Sequence, residues 1–242
     1  MPSQRVSTSP PSGVVAPHPV ITTSMSLIGF PYPLRRLAFH SCIAYKFGVS
    51  TAEPVRARGR QTRTAILESA AELFAGRGDL AAVSVAEIAT AAKAHPNQIT
   101  YYFGSKDALF VQAAFRLLLR DAVRLEPVGM RQRTPASFRI ALARTALALP
   151  TVPLAVQAMA ISRMRSELHV QAQQSLTVLF RQAEGYLRRI LHRRDWITDR
   201  PLDIEARTFW IAVFGARLVS ESGFGGQSAD VDLAGVLTVR QR

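Results

Sequence analysis

The stretch Ser84–Phe110, SVAEIATAAKAHPNQITYYFGSKDALF, decides the fold of this chain. Ser84 is followed three residues later by Glu87, and this capping box predicts the start of a short helix. Pro96 suits the first turn of a second helix, and Ser105 suits the N-cap of a third. Two short helices with a tight turn between them, and a polar, aromatic outer face on the second, fit the major groove of DNA. The stretch therefore predicts a helix-turn-helix that binds DNA.

The composition is strongly basic. A net charge of +13 and a pI of about 11.2 favour a polyanion or an anionic membrane surface as partner. Apolar residues make up 48% of the chain, enough for a sizeable core, and the single cysteine, Cys42, excludes an intrachain disulfide and a cysteine metal cluster. No apolar run approaches the roughly 18 residues of a membrane span. We therefore expect a cytoplasmic protein with no membrane partner, no metal and no cofactor.

Residues 1–54 differ in composition from the rest of the chain. They are rich in Pro and Ser, and no acid precedes Glu53. Such a leader is compatible with a transit peptide, with a disordered tail, or with sequence upstream of the true start. We expect 1–54 to be a disordered or mis-started extension of the folded part.

A basic segment leads into the first helix of the folded part. It contains Arg58 and Arg60, together with Arg56 and Arg63. The helix that follows, TRTAILESAAELFAGRG, ends at a pair of glycines. As a flexible arm, the basic segment could reach phosphates or the neighbouring minor groove, whereas as a solvated lead-in it would do neither. The residues themselves favour neither interpretation.

The segments ILESAAELFAGRG and VSVAEIATAAKAHPNQITYYFGSKDALF resemble the N-terminal domain of the TetR family of transcription regulators, over residues 62–124. The resemblance implies an all-α fold, with a three-helix DNA-binding domain followed by a helical bundle for ligand binding and dimerisation. It divides the chain into the extension 1–54, a DNA-binding domain 55–124 and a ligand-binding and dimerisation domain 125–242.

The resemblance also implies roles for individual residues. The positions that would face the bases are Pro96, Asn97, Gln98, Thr100 and Tyr101. The positions that would contact phosphates are Ser84, Tyr102 and Lys106, to which the basic segment adds Arg58 and Arg60. Asn and Gln can form paired hydrogen bonds with adenine, and Thr or Tyr can touch a thymine methyl group.

The turn between the two short helices departs from the family pattern. Lys93 stands where the family usually has glycine, so a residue with a Cβ is expected to adopt a positive φ at a cost of roughly 1 kcal/mol. Ala86 stands where some relatives carry a polar residue, which leaves base recognition to the second helix alone. His95 could be the N-cap of that helix or a further base contact, and we favour the cap.

Apolar residues at helical spacing continue through the rest of the chain. They predict helices at 106–124, 136–149, 154–165, 168–194, 203–221 and 229–240. The resemblance implies that the last two, 203–221 and 229–240, pack against their copies in a homodimer. It also implies a pocket for a small-molecule effector, for which the candidate lining residues are Met159, Met164, Phe180, Tyr186, Trp210 and Phe214. Ordinary core packing is the alternative for each of the six.

These expectations describe a repressor that a small-molecule effector releases from a palindromic double-stranded DNA operator. The alternative is a constitutive basic nucleic-acid-binding protein without effector control, which would distinguish sequences poorly and bind less at high salt. The sequence has no glycine-rich phosphate loop, nucleophile elbow or HExxH motif, so we expect no catalytic residues and no enzyme. The operator sequence and the effector are not encoded in any motif.

Overall fold

Within residues 53–224 and 232–242, which are the residues that the computed structural model describes, nearly all regular structure is helical. The helices are α1 (Glu53–Arg77), α2 (Val85–Ala91), α3 (Pro96–Phe103), α4 (Lys106–Ala122), α5 (Leu125–Met130), α6 (Pro135–Leu147), α7 (Val152–Met164), α8 (His169–Arg194) and α9 (Leu202–Glu221). Two short strands, β1 (Trp196–Ile197) and β2 (Arg240–Gln241), pair in an antiparallel ladder. The all-α prediction is confirmed. The expectations for the first 52 residues lie outside the described residues.

Helix α1 begins earlier than the sequence pattern predicts. It starts at Glu53, so the basic segment is helical and not a flexible arm, and the last two residues assigned to the extension belong to the folded part. The segment has good helix formers, and Pro54 stands in the first turn, where proline is tolerated. At the other end, Gly78 has a φ of +73° and donates its N–H to the carbonyl of Phe74 at 2.8 Å. This contact closes the helix in a left-handed cap.

Helix α4 is the central element. It packs against α1 on one side and against α7 and α8 on the other, and most of its residues are buried. We call α1–α3 and the first half of α4 the head, and α5–α9 with the two strands the body. In the head, the rings of Phe74 and Phe110 meet edge to face at 4.9 Å, and Ile88 and Ile99 are fully buried beside them. The predicted domain boundary at residue 124 lies just beyond α4 and remains a prediction.

The joint after α4 is a short helix. Pro127 and Gly129, which fall between the predicted helices 106–124 and 136–149, lie within α5. Gly129 is buried because the hydroxyl of Tyr186 and the ring of Phe138 fill the space where a side chain would project. Burial raises the pKa of the Tyr186 hydroxyl, which has no hydrogen-bond partner among the described residues.

The predicted helix 229–240 is wrong over the residues that the structure describes. Residues 225–231 lie outside them, and residues 232–242 form a turn and then β2, in which Arg240 pairs with Ile197 and Gln241 with Trp196. Leu233, Leu237 and Val239 are buried in the chain's own core. The segment therefore covers its own body instead of presenting a helix to a second copy.

A buried acid explains why this segment is extended. Glu205, in the first turn of α9, has no exposed surface, and its carboxylate accepts hydrogen bonds from the N–H of Thr238 at 2.9 Å and from the Thr238 hydroxyl. Arg200 pairs with the same carboxylate at 2.7 Å and also donates to the carbonyl of Val236. These contacts satisfy backbone groups that a helix would have paired internally. Apolar spacing alone could not reveal them.

The remaining helices follow the predictions within a few residues at each end. Helices α6, α7, α8 and α9 correspond to the predicted 136–149, 154–165, 168–194 and 203–221. In the part of the chain that is described, no single helix is long and apolar enough to cross a membrane. Only the bent pair α6 and α7, which meet at 66°, reaches that length and apolarity when counted together.

The contact at Gly129 leads to a stability prediction. A Cβ at this position would lie 1.7 Å from Tyr186 Oη and 2.7 Å from Phe138 Cε2, so Gly129→Ala should destabilise the protein by about 1–3 kcal/mol through overpacking. Gly185→Ala, in α8, is the matched control. Its Cβ would meet only the flexible Arg189 at 3.6 Å, and it should stabilise the protein by up to about 1 kcal/mol through helix propensity. Urea unfolding measures both changes.

Removing the Tyr186 hydroxyl should partly rescue the first variant. In the Gly129→Ala background, Tyr186→Phe deletes the nearest clashing atom, and some of the lost stability should return. Equal losses in the single and double variants would mean that this hydroxyl does not limit the packing.

Candidate nucleic-acid interface and groove

Helix α2 is fixed at its start by the predicted capping box. The Ser84 hydroxyl accepts from the N–H of Glu87 at 3.1 Å, and the Glu87 carboxylate accepts from the N–H of Ser84 at 2.8 Å. Arg77, at the end of α1, pairs with the same carboxylate at 2.9 Å. The backbone N–H and the hydroxyl of Ser84, followed by Arg77, lower the pKa of Glu87 to about 2. These contacts hold α2 against α1.

The turn after α2 contains the expected strained lysine. Lys93 has a φ of +52°, which confirms the predicted positive value. Its N–H donates to the carbonyl of Thr90 at 3.2 Å, and the N–H of Ala94 donates to the carbonyl of Ala89 at 2.9 Å. This pair of bonds is the Schellman arrangement, in which the left-handed residue usually is glycine. The conformation satisfies two free carbonyls of α2 and leaves the lysine side chain exposed.

Helix α3 begins with a cap made by Gln98. His95 occupies the N-cap position, as favoured from the sequence, but its N–H donates to Gln98 Oε1 at 2.9 Å and its imidazole makes no hydrogen bond to the helix. Gln98 is half-buried. Its carbonyl oxygen accepts one hydrogen bond in the cap and keeps a second lone pair, and its amide NH₂ can still donate. The two groups that a paired contact with adenine needs therefore both retain hydrogen-bonding capacity.

The outer face of α3 is open. Ile99 and Phe103 are buried on its inner side, whereas Pro96, Asn97 and Thr100 are exposed. Tyr101 projects furthest, with 81% of its surface exposed. An aromatic side chain that covers no core of its own is free to contact a partner.

Tyr102 lies between this face and α1. Its ring is partly buried against the head and meets the edge of the Tyr101 ring at 4.9 Å. Its hydroxyl points towards α1, where a Cβ at Gly59 would lie 3.3 Å from it. The first turns of α1 and the outer face of α3 are therefore neighbours.

The residues predicted to contact phosphates differ in how exposed their side chains are and in whether they already form hydrogen bonds. Arg58 and Arg60 are exposed on the first half of α1, and Lys106 is half-exposed at the start of α4. The Ser84 hydroxyl already accepts a hydrogen bond within α2, although its O–H remains able to donate. The roles assigned to these residues and to the outer face of α3 stay predictions.

Arg63, which the sequence groups with the other arginines of the basic segment, turns inward. Its guanidinium lies 4.8 Å from the centre of the Phe103 ring and donates to Gln112 Oε1 at 2.7 Å. Burial lowers the pKa of this group. Arg63 therefore supports α3 from behind, and its distance of four residues from α1's buried Leu67 is the signal that could have indicated this.

A groove lies in the body, between α7, α8 and α9. This groove has a volume of about 770 Å³. Its apolar lining residues are Met159, Ala172, Leu176 and Phe180, and its polar lining residues are Ser162, Arg163, His169, Gln173, Thr177, Arg181, Glu184, Asp203 and Arg207. The volume is in the range of sites for small molecules.

The six residues proposed from the sequence to line a pocket are not brought together. Met159 and Phe180 line the groove. Met164 is 79% exposed at the end of α7, whereas Tyr186, Trp210 and Phe214 are buried in the bundle. None of the six belongs to the polar lining of α8, where His169, Gln173, Thr177 and Arg181 recur every four residues on one face. That spacing was the available signal.

Three contacts connect the walls of the groove to the head. Arg165, directly after α7, pairs with Asp107 in the first turn of α4 at 2.7 Å. Gln171 of α8 donates to the carbonyl of Ala108 in the same turn at 2.8 Å. Gln157 of α7 donates to Asp79, in the loop after α1, at 2.5 Å. Each of these three groove-side residues lies within two positions of a residue that lines the groove.

In the described part of the chain, no group of three His, Cys, Asp or Glu side chains is arranged to hold a metal ion.

Two family models match this chain. The model of bacterial regulatory proteins of the tetR family matches residues 66–113, which make up most of the head. The model of the bacterial transcriptional repressor C-terminal region matches residues 135–238, in the body. No curated protein matches the chain significantly.

Solved structures also resemble the chain. A protein from Rhodococcus sp. RHA1, assigned as a transcriptional regulator, is 34% identical, with 72% of this chain and 93% of that chain covered and a TM-score of 0.60. A TetR-family regulator from Rhodococcus sp. is 17% identical, with 73% and 96% covered and a TM-score of 0.53. Another from Cytophaga hutchinsonii is 16% identical, with 76% and 98% covered and a TM-score of 0.50. The last two share the fold.

The position of Lys106 leads to a prediction for DNA binding. Lys106→Ala should weaken binding to all DNA sequences alike and lower the salt dependence by about one phosphate contact, since a lysine at this position would neutralise a phosphate. Arg193→Ala, which removes the same charge from the far end of α8, should leave the salt dependence unchanged. Fluorescence anisotropy over a series of salt concentrations measures both. A change in base preference would instead assign Lys106 to a base contact.

Proposed function

Because this chain belongs to the TetR family of transcription regulators, we propose that it is a cytoplasmic repressor, with no enzymatic activity, that binds a palindromic operator as a homodimer and leaves it when a small molecule binds the body. Family membership makes the chain a helix-turn-helix protein that binds DNA. The operator, the repression and the release are the proposal.

The observation that carries the proposal is the exposed outer face of α3 on a rigid support. Ile99 and Phe103 anchor the helix from inside, the Gln98 cap fixes its start, and Ser105 caps α4 directly after it. Asn97, Thr100 and Tyr101 are all exposed on the outer side of this helix. A short helix held in this way can present base contacts without reordering, which reduces the entropy cost of binding.

A stripe on α9 supports the homodimer. Ile204, Ile211 and Leu218 recur every seven residues and are all exposed, and the surface at Gly215 on the same side is open. An apolar stripe with a seven-residue repeat suits packing against a second helix. Two copies joined here would provide the two heads that a palindromic operator requires. This part of the proposal uses α9 and drops the predicted helix 229–240.

Repression, in preference to constitutive packaging of DNA, is supported by the body. The segment 135–238 matches the C-terminal region of bacterial transcriptional repressors. A protein that binds DNA through charge alone has no need of a groove or of an exposed face such as that of α3. The strong positive charge would still contribute, since it favours association with any DNA.

The three contacts between body and head support release by a bound molecule. A ligand that separates α7 from α8 would shift Arg165 and Gln171, and both hold the first turn of α4. That turn follows α3 after only two residues. A small displacement in the groove would therefore move α3 relative to the DNA.

Selection from genomic DNA tests the operator. Purified full-length protein should enrich fragments with two inverted half-sites and retain them against excess competitor DNA. Asn97→Ala should relax the preference at one base pair in each half-site, at a cost of roughly 1–3 kcal/mol on the preferred sequence. Enrichment without any shared sequence, together with steep loss of binding at high salt, would support the constitutive alternative instead.

The dimer is tested in the same assay. Ile211→Glu places a charge in the centre of the α9 stripe, and the variant should sediment as a monomer and bind the two-half-site operator weakly. Ile140→Glu is the matched control, since Ile140 is an exposed isoleucine on α6 and outside the stripe. A dimeric Ile211→Glu variant would place the interface elsewhere.

The link between groove and head is tested by a double-mutant cycle. Gln173→Trp fills the groove without a ligand and should weaken operator binding, by a factor within the roughly 5–150-fold range typical of coupled sites. Arg165→Ala removes the ion pair with Asp107, and in this background the effect of Gln173→Trp should shrink. Arg193→Ala replaces Arg165→Ala in the control cycle. Equal effects in both backgrounds would exclude the ion pair from the coupling.

A further inference from the structure

We propose that the groove binds an amphipathic anion, a carboxylate carried on an apolar chain or ring. This inference rests on the proposed function, because it names the chemical class of the molecule that the body would detect. The sequence offered only an unspecified small molecule.

The apolar part of the groove provides one half of the site. Met159, Leu176 and Phe180 are partly buried and pack against the core, and Ala172 beside them is buried. These four side chains leave an apolar surface on which a hydrocarbon chain or ring would lose contact with water. A small inorganic anion would leave this surface uncovered, so the ligand must include an apolar portion.

The charges of the groove provide the other half. Its two acids are already neutralised, because Asp203 pairs with Arg207 at 3.3 Å and Glu184 pairs with Arg188. Arg163 and Arg181 also line the groove, and within the described residues neither lies within 4.0 Å of a carboxylate. The lining therefore has two guanidinium groups whose charge no acid of the described chain balances.

The two unbalanced positive charges discriminate between ligands of similar size. A carboxylate can accept two parallel hydrogen bonds from a guanidinium group, in a geometry that fits arginine better than lysine. A cationic amphiphile would meet two positive charges and no free acid, and a neutral one would leave both charges unused. The charges consequently favour the anion and reject the cation.

The groove also lies where such a ligand could act on the head. Arg163 is two residues before Arg165, whose ion pair with Asp107 reaches the start of α4. A carboxylate bound to Arg163 would contact the last turn of α7, which directly precedes Arg165. The polar end of the ligand and the link to the head would thus share one short segment.

Calorimetry with the full-length protein tests the inference. Decanoate is the probe, decylammonium and decanol match its chain with a positive and a neutral end, and 4-phenylbutanoate replaces the chain with a ring. Decanoate or 4-phenylbutanoate should bind at least about tenfold more tightly than decanol, and decylammonium should not bind measurably. Equal or tighter binding of decanol or decylammonium, or no binding of either carboxylate at millimolar concentration, would overturn the inference.

Variants locate the carboxylate. Arg163→Gln and Arg181→Gln should each weaken binding of the carboxylate by about tenfold or more and leave decanol unaffected, because each removes a charged hydrogen-bond donor. Arg193→Gln, on the exposed end of α8, is the matched control and should bind as the parent protein does. If both groove variants bind the carboxylate with unchanged affinity, the groove is not the carboxylate site. If their dimer dissociation constant changes while carboxylate affinity does not, the groove contacts a second copy of the chain instead.

The inference and the proposed function can fail separately. If decanoate binds the protein but does not release it from its selected operator, the ligand class is supported and the release step is contradicted. Release of the operator by decylammonium would support an effector-controlled repressor and overturn the ligand class.

Discussion

Burial of α4 on nearly every side is the constraint on which the rest of the structure depends. Its side chains pack against α1 in the head and against α7 and α8 in the body, so the two parts share one continuous core. A close-packed core transmits displacement, because its side chains have few alternative arrangements. In the proposed release step, a displacement in the body would reach α4 through this core, and α3, which is joined to α4 by Gly104 and Ser105, would move with it.

The head is stabilised by short-range contacts that leave its outer face free. The capping box of α2, the Schellman turn at Lys93 and the Gln98 cap of α3 all join residues within five positions of each other. These contacts satisfy free backbone groups at the helix ends and leave Asn97, Thr100 and Tyr101 exposed. A strained lysine at a cost of roughly 1 kcal/mol is tolerable in this setting, since the turn bonds around it over-determine its conformation.

The features that could be predicted from the sequence are those fixed by contacts between residues close together in the chain. The helix-turn-helix was predictable because its caps lie within a few residues of one another, and the family resemblance covered the same segment. The C-terminal segment was not, because the contact that fixes it joins Thr238 to Glu205 across 33 positions. Its apolar residues at helical spacing predicted a helix, but Leu233 and Leu237 are buried in the core without one. The groove was missed for the same reason, since three helices must come together before its arginines share a surface.

The release step proposed for this protein has to work against its strong positive charge. The net charge of +13 favours every DNA sequence, so release cannot depend on abolishing attraction to phosphates. The proposed homodimer would bind an operator with both heads, and the second contact would be strong only if the spacing between the heads matched the half-sites. A shift that spoils this spacing removes specific binding and leaves non-specific attraction intact. The proposed ligand would then have to supply only the difference between two placements of α3, about 1–3 kcal/mol for a typical coupled site, which is within the reach of a few contacts in a groove.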